Sequence, residues 1–206
     1  MPKNFVSDSK ESSRMFKSDW LEPLSKVHYS VPLVVYVPVI GYFLWKSLTM
    51  EGSSLLVFLL SYGGGLLFWT ATEYFLHRFV FHFVPKSSWG QRLHFIFHGV
   101  HHDFPNDRLR LVMPPSVSIP LAMGFYYLFQ VSLPLTWVPS FFAAFMTGYL
   151  FYDMAHYAFH HATFQNAILK KLKQHHMRHH YHEPDKGYGV SSALWDKILQ
   201  SDFKKS

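Results

Sequence analysis

The chain has 206 residues, room for one ordinary domain, and is 49% hydrophobic and 19% aromatic. Only 16% of it is charged, well below the roughly 25% of a soluble domain. It contains no cysteine, which excludes disulfides, thiolate metal sites and cysteine nucleophiles. A net charge of +6 would raise nucleic acid as a partner in a soluble protein; here the basic residues flank apolar stretches, so membrane topology accounts for them and no nucleic acid is expected.

In chain order, residues 1–28 are polar and mixed in charge, with no apolar core of a signal peptide. They read as a cytoplasmic arm with a short amphipathic piece near residues 20–24. Residues 29–48 form the first candidate span, in which Pro32 and Pro38 are tolerable because membrane helices accept proline. Residues 52–76 form the second; no charge occurs from residue 52 to 72. Gly63, Gly64 and Gly65 in its middle either admit a close neighbour or form a flexible kink. Residues 77–110 carry no long apolar run.

A second uncharged stretch covers residues 111–152, long enough for two crossings at about 20 residues each. It divides into spans 111–130 and 135–153, with the reversal at residues 132–134. Residues 154–206 are polar and basic again. The expected fold is therefore an all-α integral membrane protein, with one membrane domain over 29–206. Four transmembrane helices carry a cytosolic helical cap, residues 77–110 and 154–206, that holds a histidine-rich dimetal centre.

Lysine and arginine counts set the orientation. The arm has five, the first connection one, the second five, the 132–134 reversal none and the tail eight. By the positive-inside rule both termini and residues 77–110 lie in the cytoplasm. The expected location is the endoplasmic reticulum in a eukaryote or the plasma (inner) membrane in a bacterium.

Fourteen of the fifteen histidines fall in four clusters: HRFVFH from residue 77, HFIFHGVHH from 94, HYAFHH from 156, and QHHMRHHYH from 174. His28 alone stands apart and reads as structural. All four clusters lie at span ends on the cytoplasmic face. Residues three and four apart share a helix face, so His98, His101 and His102 form one fork, and His176, His179 and His180 another. His156 and His160 are an i, i+4 pair. His77 and His82, about 140° apart on an ideal helix, would face different ions.

These ten imidazoles exceed what one ion takes, so two metals are the economical count. The next-door pairs His101/His102 and His179/His180 suit neighbouring ions. His94, His161, His175 and His182 read as weaker members. Soluble di-iron bundles use Glu-x-x-His, and the closest match here is Asp153-x-x-His156. All-histidine ligation does not separate iron from zinc; an oxygen-activating role requires iron, because zinc has no redox chemistry. Asp153, Glu73 and Asp103 are candidates for orienting ligand imidazoles.

The set HRFVFH, HFIFHGVHH, YDMAHYAFH and HHMRHHY resembles the fatty acid hydroxylase superfamily of membrane di-iron enzymes. EYFLHRFVFHF, RLVMPP and GYGVSSALWD, in that order, resemble its sphingolipid fatty acid 2-hydroxylases, over roughly residues 55–200. The resemblance implies two Fe ions, with zinc able to replace them in purified or crystallised protein. It also implies insertion of one oxygen atom from O2 at carbon 2 of a long acyl chain, on ceramide or the free fatty acid. The implied ligands are His77, His82, His98, His101, His102, His156, His160, His176, His179 and His180. Tyr149, Tyr152 and Asp153 would line the substrate path.

Many eukaryotic members carry a cytochrome b5 domain. The arm is too short for one and lacks its His-Pro-Gly-Gly motif, so a separate electron donor, cytochrome b5-like or ferredoxin-like, is expected beside the lipid acyl substrate and membrane lipids. The alternatives are a sterol or carotenoid hydroxylase or desaturase and, in another class, a membrane metal carrier. A carrier would favour ionisable groups near the bilayer midplane, which the spans lack.

Overall fold

The computed structural model describes residues 6, 7, 9 and 11–204, and every regular element among them is helical. Lys3 and Lys10, counted for the arm's charge, lie outside the described residues. A 3-10 turn at Pro23–Ser25 ends the arm. Then come α1 (Ser30–Thr49) and α2 (Leu55–Phe75), the latter continuing as a π-helical turn, Leu76–Phe81. Next are α3 (Ser88–His94), a second π turn (Phe95–Gly99) and α4 (Val100–Asp103). The chain ends with α5 (Pro115–Ser132), α6 (Val138–His161), α7 (Ala167–Tyr181) and α8 (Leu194–Ile198).

The ends of these helices follow from local chemistry. Ser54 caps α2 by accepting from the Val57 amide at 3.2 Å, and Asn166 caps α7 by accepting from Ile168 and Leu169 at 2.9 and 3.2 Å. The expected third span starts later than residue 111: Leu111 and Val112 are buried but non-helical, and Pro115 opens α5 at a position where its missing N–H costs nothing. The fourth runs past residue 153 to His161, because nothing in DMAHYAFHH breaks a helix.

α6 is the hub, packed against α1, α2 and α5 and touching α7 at its far end. Phe141, Phe142, Phe145, Met146 and Tyr149 of α6 interlock with Tyr36, Trp69 and Phe129. Small residues let α2 approach. A Cβ on Gly65 would meet the Phe141 carbonyl oxygen and stand 2.8 Å from Ala144 Cβ, whereas Gly63 faces open space. Of the two readings of the glycine triplet, close packing is the one realised, and mainly at Gly65. Tyr36 Oη donates to Ser118 Oγ at 2.6 Å, tying α1 to α5.

Two stretches, Ser30–Thr49 and Leu55–Phe81, are long and apolar enough to cross a membrane. α5 and α6 fall short of that test, although four spans were expected. α6 is largely enclosed by its neighbours and so carries Ser140 and Asp153 without showing them to the surroundings. The outward faces of α1 and α2 are different. Val34, Val37, Trp45, Leu48, Leu55, Leu56, Leu59 and Leu67 are each more than half exposed, a continuous apolar surface that a soluble monomer rarely shows.

Candidate metal centre

The ten histidines singled out from the sequence converge at the C-terminal ends of α2 and α6. They fall into two groups: His77, His82, His98, His102 and His179, and His101, His156, His160, His176 and His180. Within each group one ring nitrogen from each histidine lies within 4.8 Å of all the others. His28, His94, His161, His175 and His182 belong to neither.

Helical spacing explains the sorting, with one change to each expected fork. The i, i+4 pairs His98/His102, His156/His160 and His176/His180 each stay in one group. The remaining member of each triad, His101 or His179, turns to the other group instead of pointing with its fork. The next-door pairs are therefore split, as adjacent residues about 100° apart on a helix should be. The rings of His179 and His180 stand 5.7 Å apart at 89°.

His77 and His82 share a group, contrary to the ideal-helix projection that put them on different ions. The cause is the π turn. Its i→i+5 bonding, with His82 N donating to the His77 carbonyl at 3.1 Å, brings residues five apart onto one face. Their Nε2 atoms lie 3.2 Å apart.

The donor set fits a cation. His77 Nδ1 donates to the Tyr188 carbonyl, and His179 Nδ1 donates to the Lys186 carbonyl at 2.7 Å. A neutral imidazole that donates from Nδ1 carries a lone pair on Nε2. Both Nε2 atoms point at His82 Nε2, at 3.2 and 3.0 Å, and His98 Nε2 joins them at 3.1 Å. In the second group His101 and His180 Nε2 lie 3.1 Å apart, and His160 and His176 Nε2 3.0 Å apart. The buried His102 Nε2 has no hydrogen-bond partner among the described residues. Inward-facing lone pairs repel unless a cation lies among them.

Burial, reinforced by repulsion between neighbouring imidazoles, holds His98, His101, His102, His176 and His180 far below the ordinary histidine pKa. Burial also lowers His179 to about 4, although its bond to the Lys186 carbonyl works the other way. Neutral rings at neutral pH are what metal ligation needs.

Among the described residues no carboxylate hydrogen-bonds to these ten rings. Glu73, buried on α2, accepts from the amides of Val190 and Ser191 at 2.6 and 2.8 Å. Asp153 accepts from Met113 N at 3.2 Å and Tyr149 Oη at 3.4 Å. Asp103 offers its backbone carbonyl to Ser7 N at 2.8 Å. For His179 and His77 that role falls to the backbone carbonyls of Lys186 and Tyr188, which leave no side-chain signature in a sequence.

That backbone is held by Asp196, a residue sequence reasoning passed over. Fully buried, it accepts from the Tyr188 and Gly189 amides at 2.9 and 2.8 Å and from Ser201 Oγ at 2.9 Å; His175 Nε2 lies 3.3 Å away. The available signal was the pair Gly187 and Gly189, the first at φ +69°, marking a tight turn just before it. Asp196→Ala is expected to cost about 3 kcal/mol, since orphaning a buried donor costs about 1–3 kcal/mol and both amides lose their acceptor, while Ser201 Oγ keeps Tyr74 Oη. Thermal unfolding and metal content should fall together, with Asp196→Asn intermediate. Parental values in Asp196→Ala would refute this account of the loop.

A cavity of about 620 Å³ leads to the histidines. His98, His101 and His156 reach it, and so do Tyr152 and Asp153 among mainly apolar walls. Tyr152 stacks on His156 with ring centroids 5.6 Å apart. Tyr149 does not line the cavity; it is wedged between Tyr36 and Trp69 and meets Asp153 from behind. Its place one helical turn before Asp153 turns it into the aromatic core.

An all-helical scaffold with two five-histidine groups beside an apolar cavity defines the class: the chain belongs to the fatty acid hydroxylase family, whose pattern it matches over residues 62–201. It is 42% identical over 193 residues to "Dihydroceramide fatty acyl 2-hydroxylase FAH1" of Arabidopsis thaliana, covering 93% of this chain and 80% of that one. It is 40% identical over 210 residues to the "Fatty acid 2-hydroxylase" of Mus musculus, covering 91% of this chain and 56% of that one. A solved structure described as "Full length scs7p (only hydroxylase domain visible)" superposes with a TM-score of 0.84 at 37% identity, covering 90% of this chain and 70% of that one.

Proposed function

We propose that the chain is a dioxygen-dependent membrane monooxygenase that hydroxylates carbon 2 of a long fatty acyl group, on ceramide or the free acid, with two irons held by the ten histidines. The observation that carries the reading is the junction of two five-histidine groups with one apolar cavity, in a chain 42% identical to a named dihydroceramide fatty acyl 2-hydroxylase. Bound there, an iron pair supplies the activation of O2 that cleaves an unactivated C–H bond.

The chain's own residues position the substrate and keep the site dry. Leu111, Val112, Met113, Val117, Leu121 and Phe125 offer the acyl tail an apolar wall. Its head end then lies beside His98, His101 and His156, within reach of Tyr152 and Asp153. Holding one C–H bond near the oxidant is the main task of such walls. Met113 N fixes Asp153, so the carboxylate keeps one orientation toward the cavity.

In this reading α1, α2, α5 and α6 all sit in the bilayer, and residues 77–110 and 154–206 form the cytosolic cap. The apolar outer faces of α1 and α2 and the sorting of lysine and arginine support that arrangement. Electrons come from a separate donor at the basic cytoplasmic face. Histidines gathered at one end of the helices fit surface chemistry better than metal transport across the midplane.

The test is lipid analysis of cells expressing the chain with an active donor, alongside metal analysis of the purified protein. The expected result is 2-hydroxylated acyl chains and two irons per chain. Absence of 2-hydroxy products with a working donor would overturn the reading, and hydroxylated sterol or carotenoid in their place would redirect it.

A further inference from the structure

The N-terminal arm is built into the cavity. Met15, Phe16, Leu21 and Leu24 line it together with Tyr152 and Asp153, although they lie far upstream of the matched residues 62–201. Met15 is only 4% exposed, so it forms part of the interior, not of a trailing end.

What holds the arm there is a buried charge network centred on Arg110, whose side chain is 2% exposed. Its Nη2 donates to Glu22 Oε1 at 2.6 Å and to the Ser13 carbonyl. Its Nη1 donates to Ser25 Oγ at 2.8 Å and meets Met15 Sδ. Asp107 Oδ2 lies 3.3 Å from Nε. The other oxygen of Glu22 accepts from the amides of Met15 and Phe16 at 2.9 and 2.8 Å, so the carboxylate grips the very residues that face the cavity. Val27 N donates to the Leu109 carbonyl at 2.8 Å, and Arg92 donates to the Met15 carbonyl.

A buried guanidinium needs partners, and removing one leaves an uncompensated charge. Arg110 therefore holds residues 13–25 in one place. At the same time five apolar lining residues remain about half exposed, Leu21, Leu24, Val80, Phe97 and Leu121, and Ser116 of the lining is exposed as well. They mark the cavity's mouth, and the arm supplies two of the five.

We infer that residues 13–25 form the wall that selects acyl chains, with Met15 as a specificity-determining residue and Glu22 and Arg110 as the residues that position it. The inference rests on the acyl hydroxylase reading above. The arm closes the side of the cavity that the helices leave open, and the ion network makes that wall rigid enough to discriminate length.

Two experiments test it. The first uses the purified full-length protein, iron-loaded, in lipid nanodiscs with a ceramide carrying a diazirine along its acyl chain. Photoadducts within residues 13–25 are expected; adducts confined to α1, α2, α5 and α6 would overturn the inference, whether or not the protein hydroxylates.

The second supplies a mixture of acyl lengths to cells and compares product profiles. Met15→Phe should lower, and Met15→Ala raise, the ratio of long to short 2-hydroxy chains by about tenfold, the low end of what one methylene commands in an apolar pocket. Glu22→Gln should raise KM about fivefold with kcat within about twofold, and broaden the length profile. Parental profiles in all three variants, with full iron content, would overturn the wall. A parent chain that makes no 2-hydroxy product would instead refute the hydroxylase reading, and the adduct map then decides the wall alone.

Discussion

His180→Ala is expected to abolish acyl hydroxylation and to reduce bound metal from two ions per chain to about one; His179→Ala should do the same through the other ion. The two residues are neighbours on α7, yet they serve different five-histidine groups. His179 meets His82 at 3.0 Å and His180 meets His101 at 3.1 Å. Each substitution leaves four imidazoles at its own group and five at the other. Losing a hydrogen-bond partner of a ligand typically costs 10–100-fold, so losing a ligand should cost about 1000-fold or more. Membrane insertion should persist, because both residues lie outside the apolar helices and Asn166 still caps α7. Metal analysis and lipid analysis of the same preparation check the prediction. Full activity with two ions in either variant would refute the ligand assignment.

The second large effect is acid lability. The buried histidines are neutral when folded, with pKa values pushed far below 6.5 by burial and then by mutual repulsion, His179 to about 4. Unfolded, they regain a pKa near 6.5. Between those limits the unfolded chain binds more protons, so stability falls as pH falls. The stability linked to neutral rings is fully present above about pH 6.5 and is lost progressively toward pH 4. His179 alone accounts for something on the order of 3 kcal/mol across that window. Protons also compete with metal for the same nitrogens. Chelator-treated protein should therefore melt far lower at pH 5 than at pH 7.5, and metal-loaded protein should release its ions over the same interval. A flat melting temperature between pH 7.5 and 5 would contradict the neutral, buried state of these rings.

Much of the site was legible because histidine in this density has few other uses. The ten residues that converge are the ten that spacing and the family resemblance marked. Ideal helix geometry kept His156 and His160 together as expected, but the two forks of three keep only their i, i+4 members, His98/His102 and His176/His180, in one group. It failed for His77 and His82 because a π turn widens the helix there, and no residue type announces such a turn. The three carboxylates were legible as candidates but not in role. Glu73 and Asp153 bind backbone amides of residues 190, 191 and 113, partners remote in sequence. Asp103 presents its backbone carbonyl to Ser7, a contact no side chain foretells.

The arm shows the same limit from another side. Read along the chain, residues 1–28 are a polar terminus with one amphipathic piece. In space, Arg110 and Glu22, 88 residues apart, form a buried pair that turns part of the terminus into a cavity wall.

Local sequence by itself determined the helical class, the apolar outer faces of α1 and α2, and which ten histidines gather at one end of the helices. Each of these depends on composition and on periodicities of a few residues. Tertiary structure alone decided how the ten histidines divide five and five, which backbone carbonyls accept from His77 and His179, and which segments line the cavity. Those depend on which distant segments meet, and the energy of that meeting lies in packed and desolvated contacts that no single stretch of chain contains.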